Sequence, residues 1–266
     1  THGLRTGPLG LTDGRGGLLV FWRNERGTEP QLPALIEGQR FAPDGTRLWD
    51  RQGRLLHTTH EPGLGFLFPD QRLRAVSDGA GGAVLAFDDR LSDSETGSDV
   101  VAQRVDGNGN RLWGPGVPVA DEPGRQSIVD MATAPGGGAF VLSRNEQGLV
   151  ALGLQLLDAT GGTLWQTQIS APEAHDALGY LAFDGDLLRV VWTRQSALGP
   201  SQLRMLVLDL NGNRLNGSDG EVLAESSFPG VPNGFVYDPD RGQGFAVWSF
   251  GESYENSAGV LFDGQP

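Results

Sequence analysis

"RVDGNGNRLWG", residues 104–114, admits three readings, and choosing among them decides the fold. Asp106, Asn108 and Asn110 carry the oxygens of a calcium loop, Gly107 and Gly109 suggest a phosphate cradle, and the whole run has the form of a hairpin turn. A calcium loop needs six or more oxygens, normally with a bidentate carboxylate further along, whereas Arg111 and Leu112 follow here. A phosphate cradle needs a helix behind its glycines and usually a Lys, and neither is present in the pattern. A tight hairpin asks only for turn-tolerant Asp or Asn and a Gly able to take a positive φ, and Gly109 supplies it.

The stretch recurs, which is the first thing to establish because a missed period misassigns the whole fold. "RFAPDGTRLW" (40–49), "LLDATGGTLW" (156–165) and "VLDLNGNRLN" (207–216) repeat the apolar residue, polar turn and Leu, and the start of a fifth copy stands at 260–266. A second column lies upstream of each: "DGRGGLLVFWRNE" (13–25), "DGAGGAVLAFDDR" (78–90), "APGGGAFVLSRNE" (134–146), "FDGDLLRVVWTRQ" (183–195) and "PDRGQGFAVWSFGE" (239–252). Between these columns lie short runs rich in Val, Leu and Phe, bounded by Gly, Asp, Asn and Pro, which read as strands. Four antiparallel strands per repeat, arranged radially, make an all-β fold, a β-propeller. All six Trp residues fall in the two columns, Trp22, Trp192 and Trp248 near the end of the second strand and Trp49, Trp113 and Trp165 at the end of the third, which predicts packing between blades.

The two columns together resemble the tandem repeat DGxGGxxxxW…QRxDxxGxxLW of exported bacterial proteins, most fully in 78–120, while the Gln-Arg pair of 39–40 and 103–104 is lost in later copies. The resemblance implies a propeller and an extracytoplasmic (periplasmic, cell-surface or secreted) location, and it implies no activity. The expected architecture is one domain of five four-stranded blades at about 9–60, 72–121, 128–171, 178–226 and 234–266, with residues 1–6 completing the last blade so that no edge is left unpaired.

Composition narrows the partners. With 20 basic residues, all Arg, against 33 acidic ones, the net charge of −13 disfavours nucleic acid and anionic lipid. No apolar run reaches the roughly 20 residues of a membrane span, and an opening at Thr1 reads as a mature form whose leader was removed. The absence of Cys excludes disulfides, thiolate zinc sites and thiol nucleophiles. No cofactor is expected.

Strand direction sends the short glycine turns to one end of each blade and the variable loops to the other, where binding is usually placed. At that end Arg23, Asn24, Arg90, Arg144, Asn145 and Arg194 close the second strand, and Phe66, Phe68 and Phe228 offer apolar contact, so these residues are the expected partner-binding set. Asp93, Glu95 and Asp99 are secondary candidates for calcium. "HTTHEP" (57–62) offers a metal two imidazoles only as a loop, since residues three apart on a regular strand face opposite ways. No catalytic carboxylate pair stands out. The expectation is therefore a non-enzymatic scaffold or protein-interaction subunit of a larger assembly, with a glycan-binding lectin-type propeller as the alternative and a carbohydrate-active enzyme behind it.

Overall fold

The computed structural model describes residues 5–25, 32–62, 73–89, 98–170, 175–195, 200–251 and 256–263. The fold is an all-β propeller, and every sheet is an antiparallel meander whose sequence neighbours are its hydrogen-bonded neighbours. The first sheet is β1 (Arg5–Thr12), β2 (Leu18–Asn24), β3 (Pro33–Phe41) and β4 (Arg54–Pro62); the second is β5 (Leu73–Ser77), β6 (Ala83–Asp89), β7 (Asp99–Val105) and β8 (Val117–Ala120). The third is β9 (Gln126–Thr133), β10 (Ala139–Asn145), β11 (Ala151–Leu157) and β12 (Thr163–Gln168), and the fourth is β13 (His175–Phe183), β14 (Leu188–Gln195), β15 (Ser201–Leu208) and β16 (Glu221–Ser226). The fifth, among the described residues, has three strands, β17 (Gly230–Asp238), β18 (Gln243–Phe250) and β19 (Asn256–Asp263).

One expectation is corrected. Of the segment expected to complete the last blade, the described Arg5 and Thr6 pair instead with β2: Arg5–Thr12 is the first strand of the first sheet, with Leu9 opposite Phe21 and Leu11 opposite Leu19. The reason is the period of two, which puts Leu9 and Leu11 on the face that packs against the buried cluster of Leu19, Phe21 and Ile36. Gly, Pro and Thr dilute that signal in the sequence.

The chain divides into two compact units, Thr1–Val141 with Leu156–Leu164, and Leu142–Gln155 with Trp165–Pro266. In the first, one apolar cluster joins Phe21, Ile36 and Trp49 of the first sheet to Leu73, Leu85 and Phe87 of the second. Another joins Val84, Ala86 and Trp113 to Ile128, Val141 and Leu157. In the second unit, Val191, Leu203, Met205 and Val207 pack against Ala246 and Trp248. Strands β6 and β14 are buried on both faces, which explains the unbroken apolar run Ala83–Phe87, while in β14 the run is interrupted by the buried Arg189.

The repeated residues act as a fastener. In the double glycine of the second repeat, Gly81 takes φ +93, and a Cβ on Gly82 would land on the Val105 carbonyl oxygen, so each requires Gly for a different reason. Asp78 then caps the turn by accepting from the Ala80 and Gly82 amides, both at 2.8 Å, and its other oxygen holds Arg104 at 3.0 Å. Arg104 reaches on to the Ala159 carbonyl in the next hairpin at 3.0 Å, where the Trp113 indole N–H also donates at 3.0 Å. Asp13, Arg40 and Trp49 repeat the arrangement on the Gly107 carbonyl of the quoted stretch. The Gln that precedes each Arg staples its own hairpin: Gln103 accepts from the Trp113 amide and donates to the Gly114 carbonyl. Trp49, Trp113 and Trp165 do not end the third strand as expected. They stand beyond the turn, because the bridges Phe41 to Arg47 and Val105 to Arg111 close the hairpin first, and Trp165 lies within β12.

The fastener is testable in two ways. Replacing Trp113, which is 6% exposed, by Ala removes a buried ring and a bond to the neighbouring hairpin, and denaturant titration will register a loss of about 3–5 kcal/mol. The turn aspartates set the acid limit. Side-chain bonds from Thr160 and Asn213 lead in holding Asp158 and Asp209 below the ordinary 3.8; at Asp13 and Asp106 burial opposes ionisation, and backbone and side-chain bonds overcome it. Their folded pKa values lie below the unfolded ones, so the stability they add is complete above about pH 4 and is lost as the pH falls through the lower folded values. Tm measured from pH 7 downward is expected to stay level in this contribution to about pH 4 and then to drop.

Candidate functional site

Where the second strand ends, the first, third and fourth sheets each carry an Arg: Arg23, Arg144 and Arg194. In the first unit Arg23 is 1% exposed and donates from Nε to Glu25 Oε1 at 2.9 Å and from Nη1 to the Asp88 carbonyl at 3.3 Å. Its Nη2 and the second oxygen of Glu25 are buried with no partner among the described residues. The tripeptide Arg-Asn-Glu recurs at 144–146, with Arg144 Nη2 at 2.9 Å from Glu146 Oε1, and there the side chains are 19% and 29% exposed. Arg144 Nε is again unpartnered among the described residues. The same residues in the same order thus build one sealed and one half-open Arg–Glu pair.

The remaining expected site residues separate. Asn24 donates to Glu37 Oε2 at 3.2 Å, which also takes the Trp22 indole N–H at 2.8 Å. The Asn145 side chain accepts from the Gln147 amide in a turn, and Phe228 is exposed. Asp99 is 2% exposed on β7, directly opposite Asp89. Arg90, Phe66, Phe68, Asp93 and Glu95 lie outside the described residues.

In the second unit Arg194 is committed within its own sheet. Its Nε and Nη2 donate to Asp176 at 3.1 Å, and Nη1 and Nη2 to Asp219 at 2.6 and 2.8 Å. Asp176 is fully buried and also accepts from the Trp192 indole. At Asp219 burial works against the charge, but the Arg194 bond and the charges of Arg194, Arg204 and Arg214 hold its carboxyl below the ordinary range. At Arg194 burial again opposes the charge, and the two carboxylates outweigh it, so its pKa is raised.

Buried carboxylates gather near Arg23. Asp88, 3% exposed, accepts from the Ile128 amide at 2.8 Å. Asp89, fully buried, accepts from the His60 amide at 2.5 Å, and its Oδ2 lies 2.8 Å from His57 Nε2 and 3.2 Å from His60 Nδ1. This grouping contradicts the expectation that His57 and His60 face opposite ways on a strand. The segment is a strand, β4, but its register slips: Leu35 pairs with Thr58 while Pro33 pairs with Pro62. The extra β4 residues form a bulge, which turns His60 back toward the side of His57. Nothing in the histidine spacing announces it.

No known protein family and no curated protein matches the chain. Among solved structures it is similar to a Hadza microbial sialidase, at 12% identity and a TM-score of 0.56, over 93% of this chain and 53% of that one. The chain thus spans about half the length of that sialidase. It is also similar to a neuraminidase-like protein from A/bat/Guatemala/164/2009, at 9% identity and a TM-score of 0.57, over 97% of this chain and 71% of that one. A thermostable family-43 glycoside hydrolase matches over 98% of this chain and 91% of that one, at 9% identity and a TM-score of 0.47. At such identities the likeness establishes the fold, a β-propeller. The expectation of a non-enzymatic scaffold or interaction subunit is corrected on the same finding, since the two propellers with the higher TM-scores named here are described as a sialidase and a neuraminidase-like protein. Among the described residues no helix is long and apolar enough to cross a membrane.

The Arg194 network gives a structural prediction. Arg194→Ala leaves Asp176 buried with its charge uncompensated, and chemical denaturation is expected to show a loss of about 3–5 kcal/mol.

Proposed function

We propose that the chain is a carbohydrate-active propeller that cleaves glycosidic bonds outside the cytoplasm. The observation that carries this reading is the half-open pair of Arg144 and Glu146 at the end of β10, whose side chains are 19% and 29% exposed. A sugar hydroxyl both donates and accepts, so a carboxylate and a guanidinium side by side suit it. Glycosidic cleavage also needs a carboxyl group able to give a proton and a second to attack or to activate water. Asp88 and Asp89 are taken up by the Ile128 amide and by the two histidines. Glu25 is sealed beside Arg23, whereas Glu146 is 29% exposed and open to a sugar, so Glu146 is the group assigned to proton transfer. Arg144, at 2.9 Å from its carboxylate, is assigned to holding a sugar hydroxyl. The sialidase and neuraminidase-like names among the similar structures support the substrate class. The repeat resemblance supports export.

The test is release of aglycone from a panel of fluorogenic glycosides, sialosides included, combined with a glycan array. Turnover of at least one glycoside is expected. Glu146→Gln should lower it by about 10²- to 10⁴-fold, the usual worth of a general acid. Arg144→Ala should weaken glycan binding with only a modest change in Tm, because a half-open ion pair is partly screened by solvent. Binding without release would sink the enzymatic half of the reading, and neither binding nor release would sink all of it.

A further inference from the structure

His57, His60 and Asp89 form a second cluster, distinct from the residues assigned to sugar. We propose that these three side chains bind a divalent first-row transition ion, Zn²⁺ fitting best, which clamps β4 of the first sheet to β6 of the second. Two imidazole nitrogens from the bulged β4 converge on one oxygen of a carboxylate carried by β6, at 2.8 and 3.2 Å. All three ligand atoms lie within 4.8 Å of one another. Tetrahedral zinc with ligands at about 2.0–2.1 Å separates its donor atoms by about 3.4 Å, so the His57 and His60 contacts with the carboxylate need to open by about 0.6 and about 0.2 Å.

The third separation closes by rotation of His60, whose side chain is 67% exposed and free to move. That same exposure leaves a fourth position open to water. His57 is held from below: its ring lies 4.6 Å from that of Phe87, and its side chain is 6% exposed. Asp99 lies opposite Asp89 in the ladder, and a second buried carboxylate adds negative potential that favours a cation there. Two imidazoles with one carboxylate select a transition ion over calcium or magnesium, which take oxygen donors.

The experiment is a titration of the untagged chain with ZnCl₂ by calorimetry at neutral pH, repeated with CaCl₂ and followed by Tm with and without Zn²⁺. One equivalent of Zn²⁺ should bind and raise Tm by several degrees, while Ca²⁺ gives no comparable heat. His60→Ala, at an exposed position, should fold normally and lose at least about tenfold in affinity, since even outer-shell partners are worth that much. Asp89→Asn should lose the Zn²⁺-induced Tm shift, and His175→Ala should keep it. Absence of Zn²⁺ binding, or equal affinity in wild type and His60→Ala, would overturn the proposal. The carbohydrate reading rests on other residues, so either result leaves it standing.

Discussion

An indole N–H donating to a carbonyl of the next hairpin is the contact on which the arrangement of neighbouring blades depends. Trp49, Trp113 and Trp165 make it to Gly107, Ala159 and Leu210, at 3.0, 3.0 and 2.8 Å. Burial of the Val, Leu and Phe faces supplies most of the attraction between sheets, but it is non-directional and would tolerate sliding. The indole bond names one carbonyl as the partner, and the positive-φ glycines at 109, 161 and 212 bring a bare backbone against each ring. Arg40 and Arg104 reinforce the first two contacts on the same oxygens, and Asp13 and Asp78 hold those guanidiniums in place. The turn aspartates therefore do two jobs, capping a hairpin and orienting the Arg that reaches the next blade.

The opposite end of the sheets has a different electrostatic character. Paired charges at the glycine turns are bound into the fastener, whereas at the ends of the second strands Arg23, Glu25 and Arg144 keep polar atoms with no partner among the described residues. Unsatisfied buried polar groups cost stability and call for an explanation beyond architecture. Arg194 shows the contrasting case: set in the same column of the repeat, it is fully engaged by Asp176 and Asp219 and is a structural residue. Equivalent positions in a repeat can thus carry different duties, according to which acid the neighbouring strand supplies.

Most strands are legible in the sequence because their signal is local. The Gly81-Gly82 turn announces itself through residues whose backbone no other side chain would suit. The short run 221–226, set apart by the glycine turns before it, forms β16 at those bounds. The first strand is harder to see because Gly7, Pro8 and Gly10 interrupt its apolar alternation, and only its pairing with β2 reveals it. The Arg–Glu pairs divide in the same way. The Arg-Asn-Glu tripeptide can be found by comparing repeats, but that one copy is sealed and the other half open depends on burial that no repeat comparison reports.

The class of fold, the period and the polarity of the blades are written in the chain itself, since hairpin chemistry and alternation act over a few residues. Three further features exist only once the sheets have packed. The pairing of Asp89 with two histidines depends on a bulge in β4, which follows from its register with β3 and leaves no mark in the spacing of 57 and 60. Which Arg residues are consumed and which keep spare donors depends on acids as distant in sequence as Asp219 is from Arg194. The partner carbonyl of each Trp lies in the next hairpin, many residues on. These are contacts between elements, and a chain read locally records the residues that make them without recording whom they meet.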